Sequence, residues 1–207
     1  MANTDSIRAP LARLAFVNLL KPGERFNRKS KKNAEYYNCN LLWPKSQDLT
    51  ELRKLVVEAA VAEWGEKAKE LLNSEVIHNP FLDGDGKNAV NKKTGERYAG
   101  YKGTTFVRVG SYQRPKMVTK KLEPVTSSDE LYSGCYVYAV LNAYTWTDDQ
   151  GGRGVSLGLN MIQVVKDGER LGGGGGGDPD KFFEKIDDEP DGPTSGDKPK
   201  DAGGLFA

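Results

Sequence analysis

The chain has 207 residues, of which 37% are hydrophobic and 29% are charged, and it contains only two cysteines. No apolar stretch approaches the ~20 residues of a membrane-spanning helix, and the first residues lack the basic and then apolar pattern of a signal peptide. We therefore expect a cytosolic protein without a membrane partner, in which Cys39 and Cys135 are free, buried thiols.

Hydrophobic alternation predicts five β-strands. They cover residues 12–20, 35–43, 103–112, 135–147 and 154–165. The turn sequence at residues 21–23, Lys-Pro-Gly, is predicted to end the first strand, and Pro44 the second. Turn-forming residues dominate the segment 79–102, which we expect to be a long loop.

One long helix is predicted between the second and third strands, over residues 49–72. Its apolar side chains recur every four positions and form one stripe, while Asp48 and Glu51 have the spacing of a capping box. Gly65 weakens the middle of this helix by about 1 kcal/mol relative to alanine, so we expect a kink or a split there. Five strands and one helix predict a mainly β fold, a five-stranded OB-fold barrel with one long covering helix.

The fourth predicted strand has two contrasting faces, because the side chains of a strand point alternately to either side. Small and apolar residues suited to a barrel interior lie on one face: Cys135, Val137, Ala139, Leu141, Ala143 and Thr145. The opposite face carries Tyr136, Tyr138, Val140, Asn142, Tyr144 and Trp146. Its large aromatics are what stacking on nucleic-acid bases requires, at ~1–3 kcal/mol per base. The alternative is that they cover a second core layer.

Two further strands extend this polar and aromatic face. The third strand and the arm after it contribute a row of aromatic and basic side chains: Phe106, Arg108, Tyr112, Arg114 and Lys116. On the second strand, Tyr36 faces the same way as Asn38 and Asn40. These residues are candidates for base stacking, cation–π contacts and phosphate binding.

A strongly basic stretch joins the first two predicted strands. Its cations are Arg25, Arg28, Lys29, Lys31 and Lys32. Charge runs are usually only solvated loops, but in an OB barrel the loop between strands one and two borders the oligonucleotide face. We therefore predict phosphate contacts here and an affinity for nucleic acid that falls with salt.

No catalytic, cofactor or metal motif accompanies these features. His78 is the only histidine, and the sequence has neither a Gly-x-Ser-x-Gly motif nor a phosphate-binding glycine-lysine loop. Asp83, Asp85 and Glu96 lie close in sequence, as in the carboxylate cluster of a metal-dependent nuclease, but such a grouping is more often a turn. We predict a binding protein that is not an enzyme and needs no cofactor. A nuclease or other DNA-processing enzyme, and an RNA-binding OB module, are the alternatives.

Five short segments resemble a known protein family. They are Tyr-Ala-Gly-Tyr-Lys-Gly at 98–103, Arg-Pro-Lys-Met-Val at 114–118, Leu-Tyr-Ser-Gly-Cys-Tyr at 131–136, Gly-Leu-Asn-Met-Ile-Gln at 158–163 and Asp-Gly-Glu-Arg-Leu at 167–171. Over residues 10–173 the chain resembles a family of bacteriophage single-stranded DNA-binding proteins, first catalogued as a domain of unknown function. The resemblance implies an OB fold and sequence-tolerant binding of single-stranded DNA in phage replication or recombination, in the cytoplasm of the infected bacterium. The helix departs from the common OB arrangement, in which it follows the third strand.

Residues 172–177 are six consecutive glycines, and the net charge changes sign beyond them. Residues 178–207 carry nine acids against four lysines, a net charge of −5, so the preceding residues carry +6 within the total of +1. We predict a single-stranded DNA-binding domain over residues 1–171, followed by a linker and a disordered acidic tail over 172–207. The tail is expected to compete with DNA for the basic surface and to contact phage or host replication proteins. Its candidate apolar anchors are Phe182, Phe183, Leu205 and Phe206.

Overall fold

The computed structural model describes residues 1–27, 30–74 and 76–171. Its strands are β1 (Ile7–Arg8), β2 (Ala12–Asn27), β3 (Lys32–Pro44), β4 (Phe81–Asp83), β5 (Thr104–Ser111), β6 (Lys116–Val118), β7 (Tyr136–Thr147) and β8 (Arg153–Lys166). Its helices are α1 (Thr50–Trp64) and α2 (Ala68–Asn73), with a short 3-10 helix at Lys87–Ala89. The five strands predicted from the alternation are β2, β3, β5, β7 and β8, whereas β1, β4 and β6 are short additions.

The five long strands close into a barrel. β2 pairs antiparallel with β3, and β3 with β5. β5 then runs parallel to β8, β8 pairs antiparallel with β7, and β7 returns to β2. Numbered along the chain, the barrel strands follow one another around the barrel in the order 1-2-3-5-4, which is the arrangement of an OB fold. The prediction of a mainly β, five-stranded OB barrel is confirmed.

The helical segment lies between the second and third barrel strands, as predicted, and it is split at Gly65. The φ of Gly65 is 76°, in the left-handed region, where glycine can end a helix without strain. The predicted capping box is wrong: the Asp48 carboxylate accepts the N–H of Thr50 at 2.9 Å, and Glu51 pairs instead with Lys54 at 2.7 Å. No helix within the described ranges is long and apolar enough to cross a membrane.

β2 and β3 form a longer hairpin than the sequence predicts. The turn expected at residues 21–23 does not end the first strand, because β2 continues to Asn27. The register against β3 shifts between Asn18 and Gly23, and this irregularity accommodates Pro22, which has no N–H to donate to the partner strand. Pairing then resumes to the tip, where Asn27 faces Lys32. Arg25 and Lys32, at the two ends of the basic stretch predicted as a loop, therefore lie on strands.

The alternation predicted for the fourth barrel strand is confirmed. The six residues of β7 and its start that were expected in the interior are each at most 1% exposed, and the six on the opposite face are half-buried. Helix α1 packs against β7 and β8, and its buried side chains join the same core. Cys39 and Cys135 lie in this core as free thiols, and burial raises the pKa of each.

A second, smaller core lies on the outer surface of the barrel, and part of it comes from the chain between β4 and β5. The buried members of this outer core are Ala15, Leu42, Ala89, Tyr101 and Phe106. The covering segment is fastened at its start, because Lys45 Nζ lies 2.8 Å from carboxylate oxygens of both Asp83 and Asp85. These hydrogen bonds are the main cause that lowers the pKa of each carboxyl. Residues 84–103 thus cover one part of the outer barrel surface and leave another part open.

Replacing Leu141 by alanine should lower the free energy of unfolding by about 2–5 kcal/mol, because this fully buried side chain leaves a cavity in the barrel. The adjacent Val140, half-buried on the outer face of the same strand, is the matched control, and V140A should cost about 1 kcal/mol or less. Urea denaturation followed by circular dichroism measures both values. Equal losses at the two positions would contradict the assignment of the two faces.

Candidate nucleic-acid interface

Two neighbouring strands have glycines at the centre of the outer face. On neighbouring strands, Asn38 pairs with Gly110, Gly110 with Gly158, and Gly158 with Asn142. A Cβ atom at Gly110 would lie 2.5 Å from the hydroxyl oxygen of Tyr36, and one at Gly158 would lie 2.5 Å from Oδ1 of Asn142. These neighbours therefore lean over backbone, and we call the surface formed by the two glycines and the two asparagines the glycine trough.

An aromatic group with one cation lies beside the glycine trough. The rings of Tyr36 and Tyr112 are 5.0 Å apart between centroids and tilted by 58°, and the guanidinium carbon of Arg25 lies 4.7 Å from the centroid of Tyr36. Tyr112 is 40% exposed, and its hydroxyl donates to the carbonyl of Phe26 at 3.2 Å. Tyr144 of β7 completes the group. We call Arg25, Tyr36, Tyr112 and Tyr144 the Tyr36 cluster.

The phenols at the centre of the Tyr36 cluster are neutral at physiological pH. Burial is the main cause that raises the pKa of Tyr36 above its ordinary 10.0, and the proximity of Tyr144 raises it further against the opposing effect of Arg25. Burial likewise raises the pKa of Tyr144, although Arg25 lowers it. The charge of the cluster is therefore that of the arginine, and its rings can approach an anionic strand without adding repulsion.

The predicted phosphate-binding cations that the structure describes are all exposed. They are Arg25, Lys31, Lys32, Arg108, Arg114 and Lys116. Arg114 lies close enough to Tyr37 to lower the pKa of that phenol, although a hydrogen bond to Glu35 raises it overall. Lys31 and Lys32 lie at the tip of the β2–β3 hairpin. Arg28 and Lys29 lie outside the described residues, as do the four tail positions Phe182, Phe183, Leu205 and Phe206.

Phe106 was predicted to offer a stacking surface, and this prediction is wrong. Its side chain does lie on the outer side of β5, opposite to Val107, but it is completely buried in the outer core. The Tyr101 ring packs edge-on against it, with centroids 4.8 Å apart. Arg108, two positions along the same face, stays exposed and donates to the carbonyl of Asn88 at 3.2 Å.

The aromatic residues of β7 point outward as predicted, but only Tyr144 joins the Tyr36 cluster. Tyr138 lies six residues from Tyr144 on the same strand, which corresponds to ~20 Å. The guanidinium carbon of Arg8 covers the Tyr138 ring at 4.7 Å from its centroid. A small open groove beside Tyr138 is lined by the start of α1 and by the strand β1.

Tyr136 and Trp146 lie at the two ends of β7. The Lys166 ammonium lies 4.5 Å from the Tyr136 ring centroid, and Trp146 packs against the ring of His78 with centroids 5.9 Å apart. The row of aromatics predicted as one stacking face is therefore divided among separate places along the strand.

Phe16, which is not among the candidates predicted from the sequence, is 46% exposed on the outer side of β2. Its backbone has a φ of 50°, at an irregularity where the pairing of β2 with β3 shifts between Ala15 and Asn18. A signal was present, because the run Leu-Ala-Phe-Val-Asn-Leu-Leu at 14–20 does not alternate strictly. A break in the alternation within a predicted strand is typical of a β-bulge.

The carboxylates that a metal-dependent nuclease would need have another role. Asp83 and Asp85 both bind Lys45, and Asp85 Oδ1 also accepts the N–H of Gly103 at 3.0 Å. They fasten the two ends of the segment that covers the outer core, in keeping with their interpretation as turn residues. In the part of the chain that the structure describes, no group of three or more His, Cys, Asp or Glu side chains is arranged to hold a metal ion.

The sequence matches the family model described as the ssDNA-binding protein of Enterobacter phage Enc34 over residues 6–192. The chain belongs to this Enc34 family. A curated relative is protein p50 of the Acyrthosiphon pisum secondary endosymbiont phage 1, which is 34% identical over 170 residues. That alignment covers 79% of this chain and 84% of the relative. The resemblance to phage single-stranded DNA-binding proteins is confirmed.

Solved structures share the fold of this Enc34 family member. The single-stranded DNA-binding protein from bacteriophage Enc34 matches with a TM-score of 0.54 and 19% identity, over 86% of this chain and 90% of its own. Its structure in complex with ssDNA matches with a TM-score of 0.53 and 19% identity, over 81% and 89% of the two chains. The gp2.5 protein of bacteriophage T7, also a single-stranded DNA-binding protein, gives a TM-score of 0.53 at 13% identity, over 93% and 99%.

Replacing Tyr144 by alanine should weaken binding of oligo-dT by ~1–3 kcal/mol, because a ring of the Tyr36 cluster is lost. Y138A is the matched control: it removes the same side chain from the same face of the same strand, ~20 Å away. It should leave the affinity close to that of the wild type. Fluorescence anisotropy with a labelled oligonucleotide measures both. An equal loss for the two variants, or a loss for Y138A alone, would show that the interface is not at the Tyr36 cluster.

Proposed function

We propose that this chain binds single-stranded DNA with little dependence on base sequence, in the replication or recombination of phage DNA, and that it does not catalyse a reaction. One observation carries the proposal: the Tyr36 cluster presents partly exposed rings and an exposed guanidinium together on the outer face of the barrel. Membership of the Enc34 family and the OB barrel support the same function.

The shape of this surface suits a single strand. A ring accepts any base on its face, so stacking contributes affinity without selecting a sequence. At the glycine trough both glycines are buried beneath the Tyr36 hydroxyl and the Asn142 side-chain amide, so these two polar groups form its surface. Asn18 and Asn38, at the edge of the trough, are hydrogen-bonded to each other at 3.1 Å and so have less capacity to read base edges.

Phosphate binding is assigned to the exposed cations around the cluster. Arg25 lies at the Tyr36 ring, Arg108 lies on the same face of β5 as Tyr112, and Lys31 and Lys32 lie at the hairpin tip. Contacts of this kind release counterions from the strand and make its affinity depend on salt. We propose the cytoplasm of the infected host bacterium as the place of action, with single-stranded DNA as the main partner.

Titration of labelled oligonucleotides of about 15 nucleotides, near the upper end of the ~4–16 that one OB fold occupies, tests this function. Matched single-stranded DNA, single-stranded RNA and double-stranded DNA should be compared at two salt concentrations. The proposal requires tightest binding to single-stranded DNA, weaker binding at higher salt, and similar affinity for oligo-dT and a mixed sequence. Preference for RNA would favour an RNA-binding module, and cleavage of the oligonucleotide would favour a nuclease.

In the same experiment, neutralising the hairpin tip with K31Q and K32Q should flatten the plot of log affinity against log salt by up to ~0.7 per lost phosphate contact. K67Q and K69Q, two exposed lysines at the start of α2, remove the same charge from the helical side and should leave the slope unchanged. Adding R28Q and K29Q to the hairpin variant should flatten the slope further. A slope that stays constant in all hairpin variants would exclude phosphate contacts at the tip.

We also propose that the acidic residues after 171 regulate this surface. Their net charge of −5 opposes the +6 of the preceding residues. Truncation after Leu171 should therefore tighten single-strand binding, most strongly at low salt, because the attraction is screened over a Debye length of ~10 Å at 0.1 M. A full-length control with the nine acids changed to amides, in which residues 178–207 carry +4 from their four lysines, should bind at least as tightly as the truncated chain. Identical affinity of wild type and truncated protein at low salt would rule this regulation out.

The same residues are proposed to contact phage or host replication proteins. Phe182, Phe183, Leu205 and Phe206 are the apolar side chains that could anchor such contacts between the acids. The amide control separates the two roles, because it removes the negative charge and keeps these four side chains. A partner anchored by them should bind the amide variant more tightly than it binds the truncated chain.

A further inference from the structure

Phe16 is an exposed apolar residue next to a buried one. The residue is 46% exposed, while Ala15 beside it is buried in the outer core. Its φ of 50° is unfavourable for a residue with a Cβ atom, and it occurs at the irregularity in β2. Packing of a ring that is half in solvent contributes little to offset the strain of this backbone conformation. Strained backbone conformations of this kind concentrate at binding and active sites.

The neighbours of Phe16 form an open aromatic groove. The Tyr98 ring meets the Phe16 ring edge-to-face, with centroids 4.8 Å apart at 82°, and Tyr101 lies 6.1 Å away. The groove has a volume of about 180 Å³, and its other walls include Ser133 and Leu171. We call Phe16 and Tyr98, with this groove, the Phe16 site.

The Phe16 site lies on the same outer surface as the glycine trough. Tyr101 connects them, because its hydroxyl accepts a hydrogen bond from Asn40 Nδ2 at 2.5 Å. Asn40 is two residues along β3 from Asn38 of the trough and four from Tyr36, a distance of ~13 Å. Asn40 also pairs with Arg108, whose exposed guanidinium therefore lies on the path between the two aromatic groups.

A structural role for the Phe16 ring explains the arrangement less well. The outer core already buries Phe106 beneath Tyr101, and Phe16 is not among its buried members. A ring that only covered this core would be largely buried by it, whereas Phe16 keeps nearly half of its surface in solvent. Polar asparagines and an arginine along the path to Tyr36 suit a nucleic-acid backbone better than an apolar protein segment.

We propose that the Phe16 site is a second base-stacking subsite, which receives a nucleobase of the strand whose other end stacks on the Tyr36 cluster. This inference rests on the proposed function. The ~13 Å from Asn40 to Tyr36 already corresponds to about four steps at the stacked spacing of ~3.4 Å, or about two in an extended strand, and the Phe16 ring lies beyond Asn40 on the far side of Tyr101. A strand long enough to reach both groups is held at two stacking points, with Arg108 at a phosphate between them.

The test compares affinities for oligo-dT of about 2 nucleotides, too short to reach both groups, and of about 12 nucleotides, within the range of OB-fold site sizes. In the variant F16G the ring is lost and the φ of 50° becomes unstrained, so the thermal midpoint should not fall. Affinity for the longer oligonucleotide should drop by about 5- to 150-fold, the equivalent of one lost stack, whereas affinity for the shorter one, held at the Tyr36 cluster, should not change.

L122G is the matched control. Leu122 is also apolar, 70% exposed and at a positive φ of 65°, but it lies in the turn between Thr119 and Glu123 that extends from β6. It should leave the affinity for both lengths unchanged. The same loss in L122G as in F16G would assign the effect to general surface hydrophobicity and would overturn the proposal.

The variant F16W supplies a direct readout, because an indole that stacks on a base loses fluorescence. The fluorescence of F16W in excess of that of the wild type, which has three tryptophans of its own, should be quenched by the longer oligo-dT and not by the shorter one. Equal affinity of wild type and F16G for the longer oligonucleotide, together with no quenching in F16W, would show that the second subsite is wrong. The proposed function would stand in that case, because the wild type still binds the strand. If the wild type binds neither length, both proposals fail together.

Discussion

Closure of the barrel depends on two residue pairs between the parallel strands β5 and β8. Val109 pairs with Leu157 there, and Gly110 with Gly158. The side chains of the first pair point inward and join the core, whereas the second pair faces outward, where the Tyr36 hydroxyl and the Asn142 amide lie over the two glycines. A Cβ atom at Gly110 would lie 2.5 Å from the Tyr36 hydroxyl and 2.8 Å from the Tyr37 carbonyl, so the pairing of β3 with β5 would have to shift. The contact that closes the fold therefore also shapes the candidate interface.

The same closure explains how residues from distant parts of the sequence form the Tyr36 cluster. Tyr36 and Tyr112 belong to the β3–β5 side of the junction, whereas Tyr144 pairs with Ser156 on the β7–β8 side. The parallel pairing of β5 with β8 brings the two sides together at this place on the outer surface. The segment 84–103 then decides which part of that surface stays open: it buries Phe106 and leaves Tyr112 exposed.

Much of the fold could be predicted from local periodicity, and the candidate site much less. Alternation on β7 distinguishes inward from outward residues, since each strand position has a fixed face once the core side is known. It cannot distinguish Tyr144 from Tyr138, because their surroundings come from distant parts of the sequence. Tyr144 lies by side chains of β2 and β3, whereas Arg8 of β1 covers Tyr138. Phe106 shows the same limit, since the residues that bury it come from a loop. Phe16 was missed because a bulge changes the face that a residue occupies, and alternation assumes an unbroken strand.

The arrangement of the Tyr36 cluster separates two sources of affinity that respond differently to conditions. Burial holds the pKa values of Tyr36 and Tyr144 above the ordinary range, so the only charge in the cluster is that of Arg25. Attraction between this guanidinium and a phosphate is screened by salt, whereas stacking on neutral rings is not. Because Arg25 also lies over the Tyr36 ring, it orients the ring on which a base would stack. Charge and stacking surface are therefore coupled through one contact, and loss of the arginine would weaken both.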